Sequence, residues 1–313
     1  MGKLLAIGLA VMDVVLKPIN VLDYSIDSQT LDAFTMTTGG DTMNAAINAH
    51  FLGLEADLIS KQACDSVGDF VVNRLESLGM TTQYVVSEPE GVGSISVVMI
   101  NDQGDRTFYG RRGVNINLKF EEIDLSIMDN GYDVLLFNSF YALADLVGEN
   151  GAKILKAAKD RGMITVTDLV EDRYGLGFEA LRPCLPYIDY FLPSMLEAGQ
   201  HAHETDVEKI ADFYLEHGAK NIGIKLGDKG SYFKNADTSF YTPAYKVPVV
   251  DTTGAGDAFV GGFAVAAAKG WDVRRCCQFA SAVGSHAVMH LGTTTTPPTM
   301  EAIEKLMAEY PTK

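Results

Sequence analysis

Short apolar runs alternate with amphipathic stretches along most of this chain, and that rhythm leaves few architectures open. Leu4–Gly8, Ala56–Ser60, Val134–Phe137, Ile164–Thr167, Tyr190–Leu192 and Asn221–Leu226 read as buried strands. Thr42–Leu52, Phe70–Leu78, Ala152–Lys159, Val207–Glu216, Ala255–Lys269, Val273–Met289 and Met300–Ala308 read as helices. Parallel neighbours in a sheet need a crossover, and the usual crossover is a helix. The alternation therefore predicts an α/β protein, with a mostly parallel sheet covered by helices on both faces. Two stretches break the rhythm. Val14–Thr38 holds β-type runs, Val14–Lys17 and Ala33–Thr37, with no helix between them. Gly93–Arg112 reads as a hairpin, with Ser94–Ile100 and Arg106–Gly110 around the turn signal Asn101-Asp102-Gln103-Gly104. The expectation is one domain over residues 1–313. Four short strands, inserted at about 13–38 and 93–113, form a small sheet beside it.

Composition narrows the function classes. A chain of 313 residues, 47% hydrophobic, buries a sizeable core without disulfide or metal staples. Its formal charge of −16 argues against nucleic acid, whose affinity comes from Lys and Arg, but not against a local pocket for a small anion. Cys64, Cys184, Cys276 and Cys277 form no CxxC pair, which fits a reduced, cytoplasmic protein. Asp13 stops the first apolar run, so a buried strand is expected there rather than a signal peptide. Ala258–Ala268 is too short to span a bilayer, so no membrane partner is expected.

The sharpest motif is Asp251-Thr252-Thr253-Gly254-Ala255-Gly256-Asp257. It follows a strand-like run, Tyr245–Val250, and opens an apolar helix. Glycines before a helix let backbone N–H groups face an anion, and the helix dipole adds to the attraction. Asp257 in that place suits a general base beside a transferring phosphoryl group. The residues alone read equally well as a glycine turn with Asp257 as a helix-start charge. A second cluster, Gly39-Gly40-Asp41-Thr42-Met43-Asn44, puts Asn44 on the first turn of a helix, where its amide suits sugar hydroxyls. The plainer reading is a loop with Asp41 or Thr42 as the helix cap. There is no P-loop, HExxH or GxSxG, and no GxGxxG follows the first strand, which disfavours a nicotinamide-dependent oxidoreductase. His201 and His203 lie in a polar stretch and read as a solvated loop rather than a metal site.

Together the two glycine motifs resemble those of the ribokinase (PfkB-type) carbohydrate kinases, and the resemblance runs across essentially the whole chain. It implies a ribokinase-like three-layer α/β/α fold with a small β-sheet lid. Gly8 with Asp13 resembles the first-strand motif, and Gly39, Gly40 and Asn44 the first signature; both line the sugar site in the family. Asp105-Arg106-Thr107-Phe108 resembles the lid hairpin, and Gly113-Val114-Asn115 the segment after it. Lys225-Leu226-Gly227 with Gly230 resembles the nucleotide-side strand and turn, and Asp251–Asp257 the second signature. Ala287–Thr296, with Gly292, resembles the loop near adenine and a monovalent cation. One position departs: Ser194-Met195-Leu196-Glu197 stands where the family usually has Asn-x-x-Glu.

The resemblance implies transfer of the ATP γ-phosphoryl group to a primary hydroxyl. Asp257 would be the base and the backbone of Gly254, Ala255 and Gly256 the anion hole. It implies ATP contacts at Ser194, Lys225, Gly227, Gly230, Thr253, Gly254 and Gly256. Magnesium would be held through water by Glu197, and potassium is the candidate monovalent cation near Asp251, Thr253, Ala287, Gly292 and Thr296. Asp13, Gly39, Gly40, Asn44, Arg106, Arg112 and Asn115 would contact the acceptor. Neighbouring strand residues face opposite ways, so one of Arg111 and Arg112 is expected to point inward, toward the carboxylate of a sugar acid. Plain sugars remain open. A nucleoside kinase, with Phe34, Phe108 or Tyr109 stacking a base, is an alternative, as is a catalytically silent sugar binder, which Ser194 favours. A lid-to-lid homodimer is the expected assembly.

Overall fold

The computed structural model describes residues 2–312, and its chain order follows the predicted alternation. The first half runs β1 (Lys3–Ile7), β2 (Val11–Lys17), β3 (Ala33–Gly39), α1 (Asp41–Phe51), β4 (Glu55–Ala63), α2 (Ser66–Ser77), β5 (Val85–Glu88), β6 (Ile95–Ile100) and β7 (Arg106–Arg111). The second runs β8 (Val134–Phe137), α3 (Gly148–Asp160), β9 (Ile164–Thr167), α4 (Phe178–Leu181), β10 (Tyr190–Phe191), α5 (Met195–Ala202), α6 (Val207–Glu216), β11 (Asn221–Lys225), β12 (Ser231–Asn235), β13 (Ser239–Thr242), α7 (Ala255–Ala268), α8 (Val273–Ala287) and α9 (Met300–Glu309).

The large sheet has the order β13-β12-β11-β10-β9-β8-β1-β4-β5. It is parallel from β11 through β5, while β12 and β13 return antiparallel at one edge. That edge hairpin is absent from the sequence reading, which put a strand at Tyr245–Val250 instead. Pro243 and Pro248 explain the difference: proline offers no N–H to a ladder, and beyond β13 only Tyr245 makes a bridge, to Thr312. The apolar core divides in two across the sheet. One part lies under α1, α2, α7, α8 and α9, the other under α3 to α6. His201, read as solvated, is instead buried on α5 and stacks on Tyr141 at 4.7 Å. No helix of the described residues is long and apolar enough to cross a membrane.

The strand order reverses at β1, which pairs with β4 on one side and β8 on the other. In sheets of this kind ligands bind beyond the carboxyl ends of the strands, near such a reversal. The four strands that broke the alternation form a separate sheet, β3-β2-β6-β7, at this end. Register sorts its two faces. Val15 pairs with Val98, which pairs with Phe108, and Ile100 pairs with Arg106, so these share one face with Asp13. Phe34, Met36 and Tyr109 lie on the other and are more than half exposed.

Helices α1 and α7 carry the two signature motifs, and their contact sets the spacing between them. A Cβ on Gly261 would stand 2.4 Å from the Ala45 carbonyl oxygen, so only glycine lets the two backbones approach this closely. Gly261→Ala is expected to push the helices apart and destabilise the fold by about 1–3 kcal/mol, the usual cost of overpacking. Chemical denaturation of the variant beside the wild type measures it.

Candidate active site

The site is assembled from the carboxyl ends of the parallel strands and the start of α7. Gly8 follows β1, Ser139 follows β8, Asp168 follows β9, Ser194 follows β10, and Lys225 ends β11. A cavity of about 610 Å³ opens there, within the range of small-molecule sites. Asp41, Arg106, Asp168, Ser194, Glu197, Lys225, Gly227, Gly230 and Gly254–Asp257 line one part; Tyr245, Val247, Val249, Phe259 and Val288 give the other an apolar wall.

Helix α7 begins at Gly254, a left-handed residue (φ +76°) with no side-chain cap. The first N–H groups of a helix have no partner within it. Here Ala255 N–H makes one long contact, 3.5 Å to the Thr252 carbonyl, which leaves the end able to receive an anion. Asp257 sits in the same turn, and its Oδ2 accepts from Asn44 Nδ2 at 2.8 Å. Burial drives the Asp257 carboxyl up to about 7; the Asp41 charge adds to the rise, while Asn44 and Lys225 oppose it. Asp13 rises to about 7 as well, through burial and the charges of Asp257 and Asp251. Gly39 belongs to Asp13: a Cβ at Gly39 would lie 2.3 Å from that carboxylate. The Asn44 Oδ1 is buried and has no partner, an acceptor a ligand hydroxyl would satisfy.

Several predicted residues are brought together, and others are employed elsewhere. Gly40 caps α1 in place of Asp41 or Thr42. Asp41 instead reaches Ser139, whose N–H donates to it at 2.6 Å. Ser194 caps α5 and closes a reciprocal box: its N–H donates to Glu197 Oε2 at 2.9 Å, and its Oγ accepts the Glu197 N–H at 3.3 Å. Thr253 donates to Asp251 Oδ1 through its N–H (2.9 Å) and its hydroxyl (2.6 Å), and Gly292 N–H reaches Asp251 Oδ2 at 2.9 Å. Asp251 thus staples the phosphate-facing loop to the Ala287–Thr296 segment. Thr293 and Thr294 of that segment are buried against Thr38 of the small sheet. Asn115 spends its amide on Ser94 and on the Ala10 carbonyl.

The arginines do not take the expected places. Arg111 donates to the Gly93 carbonyl at 3.0 Å, and Arg112 lies over the Tyr174 ring at 5.2 Å; neither lines the cavity. Arg106 does, and its guanidinium reaches the Thr252 hydroxyl at the phosphate-facing loop. Lys17 tethers the same loop, 2.9 Å from the Val250 carbonyl. Of the three aromatics offered for base stacking, Phe34 and Tyr109 lie on the sheet face opposite Asp13. Sequence reading missed Ser139, Asp168 and the partners of Asp41. Their signal was positional: each of the first two directly follows, or lies one residue beyond, the end of a parallel strand, where such sheets gather ligands.

A helix start with free N–H groups, beside a half-buried carboxylate of raised proton affinity, is an arrangement suited to group transfer from phosphorylated ligands. Residues 1–300 match the family described as "pfkB family carbohydrate kinase", and the chain belongs to that family. A ribokinase from Staphylococcus aureus is 27% identical over 277 residues, 86% of this chain and 87% of that protein. A 5-dehydro-2-deoxygluconokinase from Geobacillus thermodenitrificans is 27% identical over 291 residues, 88% of this chain and 85% of that protein. The solved ribokinase of Thermotoga maritima has a TM-score of 0.80 at 25% identity, covering 99% of this chain and 100% of that one. The chain is accordingly a ribokinase-fold phosphotransferase with an alcohol group as acceptor.

The raised carboxyl fixes a pH dependence. Were Asp257 a base it would work ionised, and kcat/KM would climb as pH rises through about 7 and then level off. For stability the sign is opposite. Between 3.8 and about 7 the unfolded chain has this carboxyl charged and the folded chain has it protonated, so stability falls as pH rises through that window. Asp257→Asn removes the loss. Its melting temperature is expected to exceed the wild type's at pH 8 and to converge with it only toward pH 4, checked by calorimetry.

Proposed function

We propose that this chain transfers the γ-phosphoryl group of ATP to a primary hydroxyl of an uncharged sugar. The observation that carries the reading is Asp257, placed in the α7 turn that offers its N–H groups to an anion and held there by Asn44. The apolar wall of Tyr245, Val247 and Val288 suits a purine, and the phosphates would run from there toward Gly254–Gly256. The acceptor would lie between Asp13, Asn44 and Asp257, with its attacking hydroxyl donating to Asp257. Taking that proton as the oxygen attacks is worth about 10²–10⁴-fold. One well-placed N–H on the developing charge is worth about 3–4 kcal/mol in other enzymes. The small sheet, tethered through Lys17 and Arg106, keeps water from competing as acceptor.

Magnesium fits the donor set as a largely hydrated ion. Among the described residues no group of three or more His, Cys, Asp or Glu could hold a metal, and such ions keep several waters beside phosphates. Glu197 would hold one of those waters, and the ion when bound offsets phosphate charge. Both Asp251 oxygens already take N–H or O–H donors, so Asp251 fits a staple better than a shell for potassium. No step is assigned to a monovalent cation. Ser194 holds Glu197 in a reciprocal capping box at the cavity, which supports a kinase over a silent binder.

Charge selects the acceptor class. Asp13, Asp41 and Asp257 surround the acceptor space, and Arg111 and Arg112 are turned to other partners. A carboxylate on the acceptor would meet like charge there, while Arg106 and Lys225, which line the same cavity, are engaged by Thr252 and Asp168. The relatives do not choose between the classes, since one is a ribokinase and another a 5-dehydro-2-deoxygluconokinase. With ATP and magnesium, ADP release is expected with pentoses, hexoses or ketoses, at least about 10-fold faster than with sugar acids or nucleosides. Asp257→Asn should abolish it while still binding ATP. Turnover confined to sugar acids would sink the acceptor class, and substantial turnover by the variant would remove Asp257 as base. The exposed lid face of Phe34, Met36 and Tyr109 suits pairing with a second copy through the same sheet.

A further inference from the structure

Strand β10 is only two residues long, and the strands on either side of it, β9 and β11, meet beyond its end through one buried ion pair. Lys225, the last residue of β11, reaches over to the carboxylate of Asp168, which follows β9. Side-chain exposure is 13% for the lysine and 4% for the aspartate. Asp168 is fixed before it touches the lysine: its N–H donates to Asn138 Oδ1 at 2.9 Å, and its Oδ1 accepts the Leu169 N–H at 2.8 Å. The Lys225 backbone is fixed too, its N–H donating to the Pro193 carbonyl at 2.9 Å. The ammonium stands 3.6 Å from where a Cβ on Gly256 would be, directly under the first turn of α7.

We propose that Asp168 is a positioning residue for phosphoryl transfer, holding the Lys225 ammonium beneath the α7 turn where the terminal phosphate of the nucleotide arrives. The inference rests on the kinase reading above and adds to it a residue that no glycine or signature motif marks. A lysine side chain is a point charge on a four-carbon stem and goes where the field sends it. The charges facing this one are Asp168 from the end of β9, Glu197 from α5 and Asp257 from α7, while Asp41 of α1 faces Asp168. Burial pulls its proton affinity down, but the charges of Asp168, Glu197 and Asp257 and the hydrogen bond to Asp168 together more than offset burial and hold it above the ordinary lysine value. Remove the Asp168 charge and two carboxylates remain to draw the lysine. One is the base itself, and a lysine paired with Asp257 would both leave the phosphate and weaken the base. Asp168 therefore keeps the cation near Asp257 without letting it neutralise Asp257.

The test reads the nucleotide rather than the acceptor. Calorimetry measures binding of ADP and of adenylyl imidodiphosphate, each with magnesium, to the full chain. The wild type is expected to bind the triphosphate analogue more tightly than ADP. Lys225→Met removes that preference. Asp168→Asn lowers it about 10-fold, the scale of one charge-assisted hydrogen bond, and leaves ADP affinity within about 3-fold. The double variant is no worse than Lys225→Met alone, because the second change acts only through the first. Asp168→Glu, which keeps the charge and moves it by one methylene, retains part of the preference and serves if the asparagine variant does not fold. The proposal is overturned if the wild type shows no preference for the analogue. It is equally overturned if either Asp168 variant weakens ADP and analogue in parallel, if Asp168→Asn keeps the full preference, or if the double variant loses the product of the two single effects. Binding needs no acceptor, so a chain that phosphorylates no sugar would fail the kinase reading while leaving this test intact.

Discussion

Everything at this site is arranged around carboxylates that have been taken out of water. Asp13 and Asp168 are buried and Asp41 and Asp257 partly so; burial pushes all four carboxyls up, and at Asp168 the Lys225 ammonium opposes that push. Burying a charge is costly unless it is paired or hydrogen-bonded. Each of three has a dedicated partner from a different element: Ser139 for Asp41, Lys225 for Asp168 and Asn44 for Asp257. Those partners arrive on β8, β11 and α1, so the parallel sheet is what makes the cluster affordable. A fold with strands ending at one edge delivers many side chains to one place from sequence-distant segments. It also permits the raised proton affinity that base chemistry near neutral pH requires.

The same logic explains the stiffness around α7. A helix apolar on every side has to be buried on every side, and α7 packs against both α1 and α8. Its buried length fixes the part that meets the cavity, the turn from Gly254 to Asp257 with Phe259 just beyond it. The Asp251 staple then ties the loop before that turn to the segment after α8, and Thr293 ties that segment to the small sheet. The start of α7, the segment after α8 and the small sheet are thus mechanically continuous. Arg106 and Lys17 complete the loop from the lid side, and both reach Val250–Thr252 rather than the acceptor space.

Much of this was legible in the sequence, for a physical reason. Parallel strands are buried on both faces and read as short apolar runs, which is why Val134–Phe137 and Ile164–Thr167 were bounded correctly as β8 and β9. The glycine-rich starts of α1 and α7 were legible because few residues can do what Gly39 and Gly254 do. What escaped was set by tertiary context. The β12–β13 hairpin lies at an edge and carries Lys234 and Ser239 among its aromatics, so its pattern is broken by solvent. His201 looks polar in sequence, yet the Tyr141 ring covers it. Strand geometry was expected to turn one of Arg111 and Arg112 inward, but β7 ends at Arg111 and neither lines the cavity. Geometry could not say that Gly93 and Tyr174 would be waiting for them.

Asp168 and Ser139 mark the remaining limit. Neither belongs to a glycine motif, and each looks in sequence like an ordinary polar residue after a strand. Their importance comes from neighbours far along the chain: Lys225 lies 57 residues from Asp168, and Asp41 lies 98 from Ser139. Ser139 even adopts a positive φ, rare for a residue with a Cβ, to aim both its N–H and its hydroxyl at Asp41. Backbone strain of that kind persists only where the surroundings over-determine it, and here the surroundings are the cluster of buried carboxylates. A polar residue directly after a buried parallel strand is therefore the feature to weigh in such a chain. It sits where the sheet gathers ligands, and its role is set by which distant charge the fold brings to meet it.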